Sequence, residues 1–479
     1  MRSETVSEIH RRDFLKISAA GAVAASLPTA LHALSSDSPA GSITAVTTDA
    51  TRKYVKLAPI AWSKAPSAGA NTVTINPSQQ YQEVVGFGGA FTDATCFTLN
   101  RLDTSVRSEL FREWFDPKEM GLSIGRVCIG ASDYSVKAYS YADSPQPDPE
   151  LKSFTIEHDR EYILPILKQA RALNPNLWLL GSPWSPPGWM KFNNSMLGGS
   201  MRRKYLGTYA QYFEKFLDAY AAEGVRINSV TSQNEVDTDQ DGRMPACIWP
   251  QEYEIEFVRD HLAPRLAKAA NPADIWILDH NYNLWGRVMG ELEDPGTRKV
   301  VKGVAWHGYV GSADAMTKVK KAYPAMDMFW TEGGPDFEAP GYDVEWAKWG
   351  AQFTDILRNW ARGIIIWNLA LDEVGNPNIG PFKCAGLVTV HSKTKEITKS
   401  GQLYAMQHFA RNIRRGAHIV QSAGDLQGVA HVAAKNPDGS YSLVLTNTTK
   451  QASKINLVVG ASGATIELGP DSVTTLTWS

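Results

Sequence analysis

The sequence is short of several things, and each shortage narrows what the protein is. Its 479 residues contain four cysteines, Cys96, Cys128, Cys247 and Cys384, scattered without paired spacing. They do not read as a zinc site, which gathers its ligands in close pairs. Four cysteines allow three pairings, all open at this stage, and mostly buried free thiols are expected. No charge dominates, with 48 Lys+Arg against 50 Asp+Glu. A nucleic-acid partner, which needs a basic patch, is therefore not expected. After residue 34 no apolar run is long enough to cross a bilayer, so no integral membrane segment is expected. The glycine-rich stretch near residue 86 lacks the Gly-Lys-Ser/Thr of a phosphate loop. The histidines and acids show no metal-ligand spacing, so neither metal nor cofactor is assigned.

What is present begins with a targeting signature. Arg11-Arg12-Asp13-Phe14-Leu15-Lys16 precedes a small-residue apolar run over residues 17–34. Twin arginines before a modest apolar region read as a bacterial Tat signal, removed in the mature protein. The run is too short and too rich in Ala, Gly and Pro for a good spanning helix. Residues 1–35 are therefore set aside from fold reasoning, and a periplasmic or secreted protein is expected.

Two strand-like segments end in glutamate. Residues 326–330 form a short, aromatic-rich apolar run, followed by Thr331-Glu332-Gly333-Gly334. Residues 227–233 are rich in β-branched types and end in Asn234-Glu235. Two acids on one rim are the minimum equipment for glycoside hydrolysis through a covalent intermediate. Around them strands and helices alternate. Strands are read at residues 83–90, 122–129, 177–181, 227–235, 274–279, 301–309, 326–332 and 364–368. Helical spacing is read at residues 158–173, 205–222, 251–270 and 344–362. Continuous apolar strands separated by helices imply a parallel sheet covered on both faces. Eight of them imply a (β/α)8 TIM barrel with its chemistry at the C-terminal rim. The organisation expected is a barrel over residues 83–400, then a last helix and an antiparallel β-sandwich side domain over residues 401–479. Strands within residues 36–82 would join that side domain. Fifteen tryptophans supply flat apolar faces that suit sugar rings or the core.

Four stretches carry a resemblance. Residues 86–93 (Gly-Phe-Gly-Gly-Ala-Phe-Thr-Asp), residues 182–191 (Ser-Pro-Trp-Ser-Pro-Pro-Gly-Trp-Met-Lys), Asn234-Glu235 and Trp367-Asn368-Leu369-Ala370-Leu371 are similar to glycoside hydrolase family 30. This is the family of glucosylceramidases (glucocerebrosidases) and related β-glycosidases, and the likeness runs from about residue 82 to the C-terminus. The resemblance implies a retaining β-glycosidase acting on a carbohydrate or glycoconjugate, most readily a β-glucoside. It implies Glu235 as acid/base and Glu332 as nucleophile. It implies Asp93, Trp184, Asn234 and Trp367 around the sugar, with His307 and Tyr309 as neighbours and Asn378 as a further candidate. Val236 stands where proline commonly follows the acid/base, and Gly308 where close glucosylceramidases carry an aromatic. Both departures bear on the leaving group, so ceramide is not implied. An endo-acting glycanase of the β-1,6-glucanase or xylanase type is the alternative on the same scaffold. A sugar-binding barrel without chemistry is remote, because both glutamates are present.

Overall fold

The computed structural model describes residue 39, residues 41–66 and residues 69–479. The twin-arginine segment lies outside the described residues. Eight parallel strands close into a barrel. They are β1 (Gly86–Phe91), β2 (Ile124–Cys128), β3 (Trp178–Ser182), β4 (Ser229–Thr231), β5 (Asp274–Asn281), β6 (Val301–His307), β7 (Asp327–Glu332) and β8 (Ala361–Asn368). β5 pairs with β6 and β8 pairs with β1, which completes the ring. The inner strand faces pack Ile124, Leu180, Trp276, Ala305, Phe329 and Ile365 into a filled interior. A barrel of eight strands is a packed core and not a pore, so the reacting groups can stand only at its end.

The glycine-rich run belongs to strand β1. A Cβ on Gly88 would lie 1.6 Å from the Ile124 carbonyl oxygen, and one on Gly89 would lie 2.7 Å from a Leu369 methyl. The glycines let β1 press against β2 on one side and the β8 loop on the other. Two helices between β1 and β2, Asp93–Asn100 and Thr104–Phe115, have no counterpart in the sequence reading. The helix expected over residues 158–173 breaks at Tyr162, whose hydroxyl is drawn to Asp93. All four cysteines are free; Cys96, Cys128 and Cys247 are buried and Cys384 is half-buried.

The side domain is a ten-stranded sheet around a second apolar core that includes Ile43, Val73, Leu443, Leu457, Leu476 and Trp478. The chain segments on both sides of the barrel contribute. Thr44–Thr48 pairs with Ser472–Trp478, and Thr72–Glu83 lies between His418–Ala423 and Ser453–Val459. The sheet is not wholly antiparallel, because Thr72–Glu83 runs parallel to Ser453–Val459. A tight turn forces neighbouring strands to be antiparallel, and these two are separated by the whole barrel. Helices Trp346–Arg358 and Gly401–Ala410 join the two parts. Trp346 Nε1 donates to Asp471 O at 2.7 Å, and Arg358 donates to the carbonyls of Ser422 and His431. His408, fully buried, lies between the hydroxyls of Thr48 and Thr475, each 2.9 Å away.

Candidate active site

Glu332 is the last residue of β7, and Glu235 follows β4 by four positions. The strand at β4 is only three residues long, much shorter than its apolar run. The backbone turns away because Glu235 sits at φ +54, and Leu278 and Asp279 on β5 sit at φ +73 and +46. Left-handed backbone is unfavourable for side chains with a Cβ, and such strain gathers at functional sites. Here it is held by a hydrogen bond from Glu235 N–H to Asp279 C=O at 3.0 Å.

Beneath the two acids lies a buried charge network. Arg126 comes from the middle of β2 and is fully buried, as is Asp279. The Arg126 guanidinium donates to Glu332 Oε2, to Asp279 Oδ2 at 2.7 Å, to Asn234 Oδ1 at 2.6 Å and to Ser182 Oγ at 3.1 Å. Burial opposes its charge, but the anions of Asp279 and Glu332 outweigh that and raise its pKa. Burial likewise pushes Asp279 up, yet Arg126 and His307 hold it well below the usual carboxylate range. A buried guanidinium whose two terminal nitrogens meet fixed acceptors locks several strand ends into one geometry.

His307, at the end of β6, stands between the two glutamates. Its Nδ1 lies 3.5 Å from Glu235 Oε1, and its Nε2 lies 3.8 Å from Glu332 Oε2 and 3.1 Å from Asp279 Oδ1. Burial disfavours the imidazolium, but the charges on Glu332 and Asp279 and the Glu235 contact raise its pKa to about 9. His280, on β5, lies 3.6 Å from the same Glu235 oxygen through Nδ1. Burial raises Glu235, but the two imidazoles and Gln240 overcome it and lower its pKa. On sequence alone the Glu332 charge would be expected to lift it; the nearer histidines reverse the sign.

A cavity of about 500 Å3 opens over these groups, lined among others by Asp133, Trp184, Asn234, Glu235, Gln240, Met244, His280, Tyr309, Glu332, Trp367, Phe382 and Lys383. Trp184 and Trp367 stack at 5.1 Å between centroids. Both are 2% exposed, so they are wall and core together. Asn234 faces the cavity, and since Arg126 can only donate, its amide oxygen must point at Arg126 and its NH2 away. Tyr309 donates its hydroxyl to Glu332 Oε1 at 3.0 Å.

Two expected residues take other places. Asp93 begins helix Asp93–Asn100, which turns its carboxylate away from the cavity. Its oxygens are met there by Val136 N at 2.7 Å, His158 Nε2 at 2.8 Å and Tyr162 O–H at 2.6 Å. Asn378 folds its own loop, bonding Phe382 O and Gly380 N. Asp133 stands at the cavity instead, with Oδ1 buried and unpartnered. Burial, then the charges of Glu332 and Glu235, push its pKa well up. Arg126, Asp279, Asp133 and His280 were missed. Arg126 left a signal, a lone charge inside an apolar strand, and Asp279 another, an acid ending a strand. Nor does the absence of ligand spacing hold in space, where Glu235, His280 and His307 bring their donor atoms within 4.8 Å of one another.

A closed (β/α)8 barrel with two carboxylates facing one rim cavity, under paired tryptophans, defines the class of barrel glycoside hydrolases. Comparison with known proteins makes this specific. The glycosyl hydrolase family 30 TIM-barrel domain matches residues 84–413, and the family's beta sandwich domain matches residues 416–476. The chain belongs to glycoside hydrolase family 30, and it is an enzyme acting on carbohydrate. It is 32% identical over 417 residues to an endo-1,6-beta-D-glucanase of Neurospora crassa, covering 83% of this chain and 85% of that protein. It is 30% identical over 403 residues to the lysosomal acid glucosylceramidase of Mus musculus, covering 79% and 78%. The solved structure of the endo-beta1,6-glucanase BT3312 superposes with a TM-score of 0.84 at 29% identity, covering 92% of this chain and all of that one. Residues 8–28 match the twin-arginine translocation signal, which marks the protein for export to the periplasm or beyond. Among the described residues no helix is long and apolar enough to cross a membrane.

Proposed function

We propose that the protein is a retaining β-glycosidase of β-glucosides, with Glu332 as nucleophile and Glu235 as acid/base. The observation that carries the assignment is the asymmetry around the two glutamates. Each oxygen of Glu332 faces a donor, Arg126 on one side and Tyr309 on the other, which aims it as a carboxylate. Glu235 instead faces a proton carrier, His307, 3.5 Å away. Moving the His307 Nδ1 proton to Glu235 Oε1 turns the ion pair into a neutral imidazole and a carboxylic acid. Glu332 then attacks the anomeric carbon, the bond to the leaving oxygen breaks, and Glu235 gives that oxygen its proton. In the second step Glu235 takes a proton from water, the hydroxide oxygen bonds the anomeric carbon, and Glu332 leaves as carboxylate. The Asn234 NH2 is turned to donate to the sugar 2-hydroxyl, a contact that strengthens in the transition state. Asp133 offers an unpartnered oxygen to a hydroxyl farther round the ring, and Trp184 and Trp367 give the ring an apolar wall.

The rest of the cavity lining includes Thr238, Gln240, His280, Asp336 and Lys383, with Met244 and Phe382. These polar side chains offer hydrogen bonds to a sugar as leaving group. Cleavage inside a β-1,6-glucan is the second reading, favoured by the endo-1,6-glucanases among the relatives. The test is to incubate the enzyme with an aryl β-glucoside, a linear β-1,6-glucan and glucosylceramide, following the products by NMR and chromatography. Release of β-glucose first, from the aryl glucoside, supports retention; α-glucose first would overturn it. Mixed oligosaccharides from the glucan would establish endo action, and glucose alone exo action.

A further inference from the structure

The two histidines beside Glu235 are arranged to hold more than a proton. Asp279 Oδ1 faces His307 Nε2 at 3.1 Å, and Asp237 Oδ1 faces His280 Nε2 at 2.7 Å. An ionised aspartate only accepts, so each Nε2 carries a hydrogen. Each Nδ1 is then left pointing at Glu235 Oε1, that of His307 from 3.5 Å and that of His280 from 3.6 Å. Both Nδ1 atoms are buried without a hydrogen-bond partner, and the two side chains are 0% and 8% exposed. Buried polar atoms are costly unless something meets them. A single proton can join only one nitrogen to the carboxylate at a time. A dication between them, displacing the proton from His307 Nδ1, would satisfy all three atoms at once.

The donor set selects the ion. Two imidazoles and one carboxylate are zinc ligands, whereas calcium and magnesium require oxygen throughout. Tetrahedral zinc bonds of ~2.0–2.2 Å place ligand atoms roughly 3.3–3.5 Å apart. The three atoms here lie within 4.8 Å of one another, two of the separations being 3.5 and 3.6 Å. A small closing movement completes the site. The outer partners also fit, since metal-bound imidazoles give their other N–H to a carboxylate that fixes the ring and raises its basicity. Glu235 and His280 belong to the cavity wall, so a fourth ligand position opens on the substrate cavity.

We propose that Glu235, His280 and His307 form a site for a Zn2+-class dication, and that filling it stops hydrolysis by taking the Glu235 oxygen. Binding follows from the geometry alone; the inhibition rests on the acid/base role given to Glu235 above. The experiment uses metal-stripped protein, Zn2+ for calorimetry and Co2+ as the optical probe. One Zn2+ per chain is expected, and bound Co2+ should show intense tetrahedral visible bands without a thiolate charge-transfer band. His280→Asn should weaken Zn2+ binding by at least about tenfold. Asp237→Asn, at a side chain 43% exposed, should weaken it about tenfold through the lost outer partner and guards against a misfolded first variant. Zn2+ should inhibit aryl β-glucoside hydrolysis in step with occupancy, and EDTA should restore it. No binding, binding unchanged in both variants, or a thiolate band pointing to Cys384 would overturn the site. Full occupancy with undiminished hydrolysis would leave the metal site standing and overturn both the inhibition and the role of Glu235.

Discussion

His307 Nε2 donates to Asp279 Oδ1 at 3.1 Å, and neither side chain is exposed to solvent. Asp279 also anchors Arg126, so one buried carboxylate sets both the ring between the glutamates and the guanidinium beneath Glu332. Removing one partner of a buried ion pair costs ~3–5 kcal/mol. Asp279→Asn keeps the volume and should lose stability of that order in urea unfolding, together with most of the hydrolysis. Stability close to wild type would show that Asp279 does not hold the network.

The two glutamates should respond differently to replacement. Glu332→Ala should be nearly inactive on all substrates, and azide should restore turnover with an α-configured glycosyl azide. Glu235→Ala should keep its first step on aryl glycosides with good leaving groups, which need little protonation. Azide should then attack the glycosyl-enzyme and give the β-configured product. NMR of the two adducts decides, and the opposite configurations would exchange the roles of the two residues.

Tyr309 offers a milder perturbation. Its hydroxyl donates to Glu332 Oε1 at 3.0 Å, while its ring is 45% exposed. A hydrogen bond to a charged group is worth ~1.5–3 kcal/mol. Tyr309→Phe should lower kcat by roughly ten- to a hundredfold through misaimed Glu332, with Tm nearly unchanged, because no cavity opens in the core. Unaltered kcat would release Tyr309 from the nucleophile's support.

His408 makes the joint between barrel and side domain sensitive to acid. Burial lowers its pKa to about 3, against 6.5 in the unfolded chain. Between those values the unfolded chain binds a proton that the native protein excludes, so stability falls as pH drops below 6.5. At pH 5 the loss is about 2 kcal/mol relative to neutral pH. His408→Gln should be less stable at pH 7 but should lack this share of the acid sensitivity. Urea unfolding of both proteins at pH 7 and pH 5 measures it; equal losses on acidification would mean that His408 does not titrate on unfolding.

The barrel was legible because its signals are local and repeated. Each of the eight strands is an apolar run bounded by turns; Glu332 ends β7 and Glu235 follows the short β4. The same held for Trp184, just past the end of β3, and Trp367, in the last residues of β8. The glycines at 86–89 fit a bend as well as a close-packed strand by type, and the carbonyl of Ile124, on the next strand, shows why the strand needs them.

The sequence by itself determined the alternation of strands and helices, the two glutamates at strand ends, the twin-arginine leader and the family. Those features depend on neighbours along the chain and on ordered motifs. Tertiary structure alone decided which groups meet at the rim. Asp93 and Asp133 both follow barrel strands, and only the direction of helix Asp93–Asn100 sends one into the scaffold and leaves the other on the cavity. Arg126, Asp279 and His307 come from β2, β5 and β6, and His280 reaches Glu235 from β5. Charges in a low-dielectric interior act strongly over a few ångströms of space, whatever their separation in the chain. The lowered pKa of Glu235, the buried guanidinium and the three converging donors are therefore properties of the closed barrel.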